Sequence, residues 1–294
     1  MSFINILILG IVQGLAELLP VSSSAHVVVA EKLLGLDPSS PPMTLLLVML
    51  HTGTMFAVIV YFWRSWLSTY FRSAAAFRAF LFVVVLATVF TGIVGEAMVV
   101  LIEHTLLAGV PHAQIEDLFG HLEFIAPALA VVGVLILYAG IRERRTGQPR
   151  LDARLASDAT GLTGGQASII GIVQGLSLPF RGFSRSGATI STGMIIGVTK
   201  ARVEAFSFAL AVVLTPPVVG REALRLWHVR SVDHLALANI AGRTAFGALV
   251  AFIAGLAALR WLSRWLEGGR WYLFGIYCLI ASVIVATLHY RYGL

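Results

Sequence analysis

The chain has 294 residues, of which 58% are hydrophobic and only 12% charged, against about 45–50% and about 25% in soluble domains. That surface is too apolar for water, so the composition excludes an ordinary soluble enzyme and points to an integral membrane protein. The formal charge of +6 does not indicate a nucleic-acid partner, because the arginines fall mostly in loops between apolar stretches, as the positive-inside rule expects.

The apolar stretches are helix-like: Phe80 to Phe90 shows none of the alternation of a barrel strand. In chain order, short apolar pieces at about 3–18 and 24–36 are followed by long ones at 43–63, 78–101 and 122–141. Short pieces at 165–178 and 187–199 then precede long ones at 203–224, 240–262 and 270–290. The six long stretches can each cross a bilayer, which takes about 20 residues. The short ones come in two pairs, each interrupted by a proline and serines, the pattern of re-entrant hairpins. An N-terminal apolar run before Ser23-Ser24-Ala25-His26 looks like a signal peptide. But no Lys or Arg precedes Lys32, Glu17 sits inside the run, and the segment recurs internally. It is therefore expected to be retained.

The recurrence is literal. Gly-Ile-Val-Gln-Gly-Leu occupies Gly10–Leu15 and again Gly171–Leu176. Each copy leads into a proline and a serine-rich turn, so the chain is expected to hold two related halves, 1–141 and 165–294, joined by a charged linker at 142–164. The loop after the first span carries Arg64, Arg72 and Arg78. The next holds Glu103, Glu116 and Asp117 without Lys or Arg, and the third carries Arg142, Arg144, Arg145, Arg150 and Arg154. This alternation places the first and third loops in the cytoplasm. The loop with Arg225, Arg230 and Asp233 fits least well. Three spans between the copies would invert the second relative to the first, so that two oppositely entering tips meet at mid-membrane. The fold class expected is an all-α polytopic membrane protein, with six transmembrane helices and two re-entrant helical hairpins in an inverted-topology repeat.

The tips carry different chemistry. In the first, Gln13 and Glu17 lie one turn apart on one helix face, Pro20 ends that helix, Ser22 or Ser23 can cap the next, and His26 falls in its first turn. A carboxylate at membrane depth is functional by default. In the second, Ser184 can cap, Arg185 stands at the helix start, and Gly187 permits close approach. Free N–H groups at a helix start and a guanidinium suit phosphate. Arg181 is a second candidate clamp. Gln174 matches Gln13, but Leu178 stands where Glu17 would be. A phosphate cradle facing acid, imidazole and hydroxyls suggests phosphoryl transfer. Cys278 is the single cysteine, so neither an intrachain disulfide nor a Cys-based metal site is expected.

Gln13-x-x-x-Glu17 leading to Pro20-Val21-Ser22-Ser23-Ser24-Ala25-His26, with Gly182-Phe183-Ser184-Arg185-Ser186-Gly187-Ala188-Thr189, resembles the undecaprenyl-diphosphate phosphatase, or bacitracin-resistance, family over essentially the whole chain. The family's patterns are [E/Q]-x-x-x-E, P-V-S-S-[ST]-[AG]-H and P-G-x-S-R-S-G-[AT]-T. Here Pro179-Phe180-Arg181-Gly182 replaces the Pro-Gly, so the second loop is altered, and Gln13 removes one carboxylate from the first motif. The resemblance implies an inner-membrane enzyme that removes the terminal phosphate of a C55 lipid diphosphate and needs a divalent cation, Mg²⁺ or Ca²⁺. Its catalytic groups correspond to Glu17, His26, the serine turn and Arg185; on this reading His26 is the general acid/base and the nucleophile is a serine of the turn, Ser23 by motif position, or a water. Gln13 and Glu17 would hold the metal. Ser22, Ser24, Ser184, Ser186, Gly187, Thr189 and Arg181 would contact substrate. The expected partners are the lipid substrate and membrane lipids, with a homodimer compatible and the site opening to the periplasm. A flippase for the lipid phosphate is the alternative function. The Ser-Arg-x5-His-x3-Asp lipid phosphatases do not match, since no histidine follows Ser184-Arg185 at that spacing.

Overall fold

The computed structural model describes residues 2–38, 40–105, 118, 121–146, 161–228, 234–266 and 269–292. Within these residues there are ten α-helices and no strand: α1 (Phe3–Leu18), α2 (Ser23–Leu33), α3 (Pro41–Thr69), α4 (Ala74–Thr105), α5 (Leu122–Thr146), α6 (Gly164–Ser177), α7 (Arg185–Ile195), α8 (Lys200–His228), α9 (His234–Leu266) and α10 (Tyr272–Tyr292). Local chemistry sets their ends. Ser2 caps α1 by accepting from the Asn5 N–H at 3.1 Å. Thr163 and Gln166 form a reciprocal capping box at the start of α6. Gly35 and Gly197, both at positive φ, follow α2 and α7 and end them with backbone that other residues rarely adopt.

Five helices are long and apolar enough to cross a membrane among the described residues: Met43–Thr69, Ala74–Thr105, Leu122–Arg145, Gly242–Trp261 and Tyr272–Tyr292. The expected stretch 203–224 lies in α8, which is long enough at 29 residues, although part of its side chains fall outside the described set. Large apolar residues such as Phe82, Ile93, Val131 and Val283 are exposed, as lipid-facing side chains are. Glu116, Asp117, Pro149, Arg150, Arg154, Arg230 and Asp233 lie outside the described residues, as does most of the 142–164 linker.

Some of the packing recurs when residues 1–141 and 165–294 are exchanged, although α3 packs on α9 far more extensively than α8 does on α4. α1 packs on α9 and α6 on α4, so each half's first short helix seats on a long helix of the other half. α1 pairs with α2 and α6 with α7, while α3 meets α8 and α5 meets α10. The repeated hexapeptide explains the seating. A Cβ on Gly10 would lie 2.9 Å from Val250 Cγ1, and one on Gly14 would lie 2.7 Å from the Ala251 carbonyl oxygen. In the other copy, a Cβ on Gly171 would run into the Ala87 backbone and one on Gly175 would lie 2.8 Å from the Thr91 carbonyl oxygen. Glycines one turn apart therefore let two helix backbones touch, the small-residue packing that replaces hydrophobic drive between membrane helices.

Between these seats, Ala16 and Val21 from the first tip join Ile136, Ala188, Phe274 and Cys278 in one buried cluster. The two tips are thereby held against α5 and α10.

Candidate active site

α1 stops at Leu18, and an extended Leu19 leads to Pro20. The chain then turns sharply: Val21 N–H donates to the Leu19 carbonyl at 2.7 Å. Ser22 is the one non-glycine residue with positive φ, +67°, among the described residues. Such backbone costs about 1–3 kcal/mol and tends to sit at functional sites. Ser22 is the N-cap of α2 and accepts from the Ala25 N–H at 3.4 Å, while its hydroxyl lies 3.2 Å from that of Ser24. At the second tip Ser184 is the N-cap of α7, accepting from the Gly187 N–H at 3.1 Å.

The tips touch. Gly182 N–H donates to Ser24 Oγ at 3.4 Å, and a Cβ on Gly187 would come within 3.1 Å of the Pro20 carbonyl oxygen. Across this contact Arg185 Nη2 donates to Glu17 Oε1 at 2.6 Å. The carboxylate's other oxygen, Oε2, accepts from Gln13 Nε2 at 3.0 Å and from the Ser23 hydroxyl at 2.5 Å, with His51 Nε2 3.4 Å away. Glu17 and Arg185 are mostly buried, at 11% and 22% side-chain exposure. They sit in a low-dielectric setting where a charge pair interacts far more strongly than in water.

This cluster lines a cavity of about 410 Å³. Glu17, Ser22, Ser23, Ser24, Ser184, Ser186, Arg181 and Arg185 supply polar lining, and Val48, Met55 and Val58 of α3 with Phe208 and Val212 of α8 supply apolar lining. A polar head with an apolar chain fits such a space. Arg181 also attracts the Glu31 carboxylate. Neither oxygen of that buried carboxylate has a hydrogen-bond partner.

Three of the residues expected to meet substrate lie elsewhere. Gly187 gives its N–H to Ser184, so it does not offer a free donor; its role in the structure is the close contact with Pro20. Thr189 is fully buried behind Arg185, bound to the Arg185 carbonyl at 2.8 Å and to the Ser207 hydroxyl at 2.6 Å. His26 turns toward α10 instead of the cavity. Its Nδ1 donates to the Ser22 carbonyl at 2.7 Å, its Nε2 meets the Tyr277 hydroxyl at 2.6 Å, and its ring stacks on that of Tyr277. With both nitrogens engaged there, His26 holds the serine turn in this arrangement.

His51, which does line the cavity, belongs to neither motif. Its only sequence signal is that it is an ionisable side chain within an apolar span, the same signal that singles out Glu17.

No group of three or more His, Cys, Asp or Glu side chains that could hold a metal occurs among the described residues. At the expected metal position, Glu17 already accepts on both oxygens, whereas Gln13 Oε1 is buried without a hydrogen-bond partner. One carboxylate and one open amide oxygen do not make a complete cage. They would suit a hard cation that draws its remaining oxygen ligands from elsewhere, as Mg²⁺ commonly does.

A family model described as bacitracin resistance protein BacA matches residues 6–284 of the chain. Among curated proteins, undecaprenyl-diphosphatase 2 of Acinetobacter baylyi is 53% identical over 292 residues, covering 98% of both chains. The undecaprenyl-diphosphatase of Desulfosudis oleivorans is 34% identical over 288 residues, and that of Methanobrevibacter smithii 31% over 294, each covering 97% of both chains.

Proposed function

The chain belongs to the bacitracin resistance protein BacA family, and from that premise we infer that it is a membrane undecaprenyl-diphosphatase. It hydrolyses undecaprenyl diphosphate to undecaprenyl phosphate and inorganic phosphate, recycling the cell-wall lipid carrier. The observation that carries the assignment of the site is the meeting of Glu17, Ser23 and Arg185 in the lining of one cavity that also carries apolar side chains of α3 and α8.

The working arrangement follows from those contacts. The diphosphate meets the polar lining with its prenyl chain along α3 and α8. Arg185 turns from Glu17 to the phosphates, where a planar guanidinium binds two oxygens at once. Ser22, Ser24, Ser184, Ser186 and Arg181 line the same cavity and hold the remaining oxygens. The Ser23 oxygen attacks the terminal phosphorus, and its proton passes to Glu17 Oε2, already in contact. The bond from phosphorus to the bridging oxygen breaks, and undecaprenyl phosphate leaves as an anion that needs no proton. Water then cleaves the phosphoserine: Glu17 returns its held proton to the departing Ser23 oxygen, the carboxylate so freed takes the proton of the attacking water, and that proton leaves with inorganic phosphate. His26 holds the Ser22 carbonyl, and so the turn that presents Ser23. A divalent cation, Mg²⁺ or Ca²⁺, would be held by Gln13 Oε1 and Glu17 together with the substrate, and would supply charge neutralisation.

The membrane arrangement that suits this site has α3, α4, α5, α8, α9 and α10 as six spans. The α1–α2 and α6–α7 pairs would enter from opposite faces as re-entrant hairpins. α1 and α6, at 16 and 14 residues, are about 24 and 21 Å long, short of the roughly 30 Å hydrocarbon core, and the seating of α1 on α9 is matched by that of α6 on α4. Repeats 1–141 and 165–294 joined by 142–164, an inner-membrane location and a periplasmic opening for the first hairpin complete the proposal.

The test is phosphate release from undecaprenyl diphosphate by purified protein in detergent, with and without divalent cations and with Glu17→Ala and Arg185→Ala as controls. Release that depends on both residues is expected. Absence of release, or near-native release by Arg185→Ala, would overturn the assignment.

A further inference from the structure

His51 lies on α3, apart from both repeated motifs, and the chemistry above gives it no task. Its ring is aimed by its own helix. Nδ1 is 2.8 Å from the Leu47 carbonyl oxygen. A carbonyl only accepts, so Nδ1 carries a proton and donates; Nε2, pointing away from the helix backbone, then donates to a carboxylate when the ring carries its second proton as imidazolium. That nitrogen stands 3.4 Å from Glu17 Oε2, and the side chain is 40% exposed along the cavity wall.

The partners of Glu17 are divided between its oxygens. Oε1 has Arg185; Oε2 has Gln13, Ser23 and His51. Arg185 is the partner that a diphosphate draws away, since a guanidinium prefers a doubly accepting, more highly charged phosphate. Glu17 must then remain aimed at the Ser23 hydroxyl with Oε1 released and fresh negative charge beside it. Gln13 holds it from one turn back on the same helix. His51 holds it from a different helix, so the two supports brace the carboxylate from independent directions.

We propose that His51, as imidazolium, is a positioning residue for the hydrolysis: it keeps the Glu17 carboxylate against Ser23 while Arg185 serves the phosphate. This rests on the diphosphatase reading of the same site. The two histidines of the first half thus divide the work, with His26 bracing the serine turn from outside the cavity and His51 bracing the carboxylate from within it.

The test measures kcat and KM for phosphate release from undecaprenyl diphosphate in detergent, for the unsubstituted chain, His51→Ala, His51→Gln and Arg185→Ala. His51→Ala is expected to lower kcat about 10²-fold, the order that misplacing a reacting group costs, with KM within about twofold. His51→Gln should recover to within about tenfold of the unsubstituted chain, because its amide N–H reaches close to the position of Nε2. Arg185→Ala should differ in kind, raising KM as well. A His51→Ala kcat within about twofold of the unsubstituted chain overturns the proposal. So does a His51→Gln as impaired as His51→Ala, or a loss of Tm in detergent that parallels the loss of activity and assigns His51 to the fold. If the unsubstituted chain releases no phosphate, the diphosphatase reading itself fails and takes this assignment with it, a result distinct from the other three.

Discussion

The two copies of Gly-Ile-Val-Gln-Gly-Leu pack alike and act differently. In each, two glycines one turn apart seat a short helix on a long helix of the other half, Gly10 and Gly14 on α9, Gly171 and Gly175 on α4. The glutamine between them then diverges. Gln13 donates to Glu17 at 3.0 Å. Gln174 donates to Thr91 Oγ1 at 3.3 Å, within the α6–α4 seat, and Leu178 stands where the second half would need its own carboxylate. One hairpin has kept the glutamine for the cavity and the other for packing. A diphosphate needs both an acid/base end and a cationic end, and a symmetric pair of tips would supply two of one and none of the other. The divergence of the tips within a conserved seat is therefore what turns a packing repeat into an asymmetric site.

The largest effects should come from removing what each tip alone contributes. Arg185→Ala is expected to lower kcat/KM for undecaprenyl diphosphate by about 10³-fold or more, as guanidinium removal does in phosphoryl transfer. Glu17→Gln keeps the shape and loses the base, and should cost about 10²–10⁴-fold, mostly in kcat. Ser23→Ala should cost less than Arg185→Ala, since positioning and charge neutralisation carry most of this chemistry. If Ser23→Ala proves the more damaging, covalent capture outweighs charge neutralisation and the ranking of the tips is reversed.

The shared seats can be probed in parallel. Gly14→Ala and Gly171→Ala each place a methyl against the backbone of the facing helix. Overpacking of this kind costs about 1–3 kcal/mol. Both should lower Tm in detergent, and by similar amounts if the seats are equivalent. A loss confined to one copy would show that the repeat is equivalent in sequence alone.

How far these features could be read in the sequence depended on whether their cause was local. Pro20, Ser22 and Ser184 act on their own backbone, so the breaks between α1 and α2 and between α6 and α7 were legible, as were the short helices they bound. The meeting of the Glu17 tip with the Arg185 tip was the expectation drawn from two copies separated by three apolar stretches, and the 2.6 Å contact between them is present. What depended on the direction of a side chain after packing was not legible. His26 sits in the serine motif yet faces Tyr277, because Ser22's positive φ turns the start of α2 and offers its carbonyl to Nδ1. His51 sits in the apolar stretch 43–63, outside both motifs, yet faces Glu17, because α3 presents that side to α1. Gly10 and Gly14 were visible as a repeat, but their closeness to α9 required the partner helix.

Between the first two tests and the last lies the glutamine pair. Gln13→Ala removes a donor from Glu17 in the cavity and should reduce kcat about tenfold with little change in Tm. Gln174→Ala removes a buried hydrogen bond in a helix seat, worth about 1 kcal/mol, and should lower Tm while leaving kcat within about twofold. The crossed pattern, activity from one and stability from the other, is the sharpest statement of the divergence. Equal effects on both readouts would mean that the second glutamine also serves the site.

The smallest expected effect concerns Tyr277, and its sign matters more than its size. The Tyr277 hydroxyl lies 2.6 Å from His26 Nε2 and the rings stack at 5.6 Å. Tyr277→Phe deletes the hydroxyl and keeps the stack and the 2.7 Å bond from His26 Nδ1 to the Ser22 carbonyl. If His26 serves by bracing the turn, Nε2 has no other task, and kcat should fall by no more than about threefold, the worth of one modest hydrogen bond. His26→Ala, which also removes the brace, should fall further, by about tenfold. If instead His26 swings into the cavity to exchange protons with the substrate, the tyrosine holds it back, and Tyr277→Phe should raise kcat. An increase would place His26 beside Ser23 in the reaction and leave the turn to be held by Ser22's own capping bond.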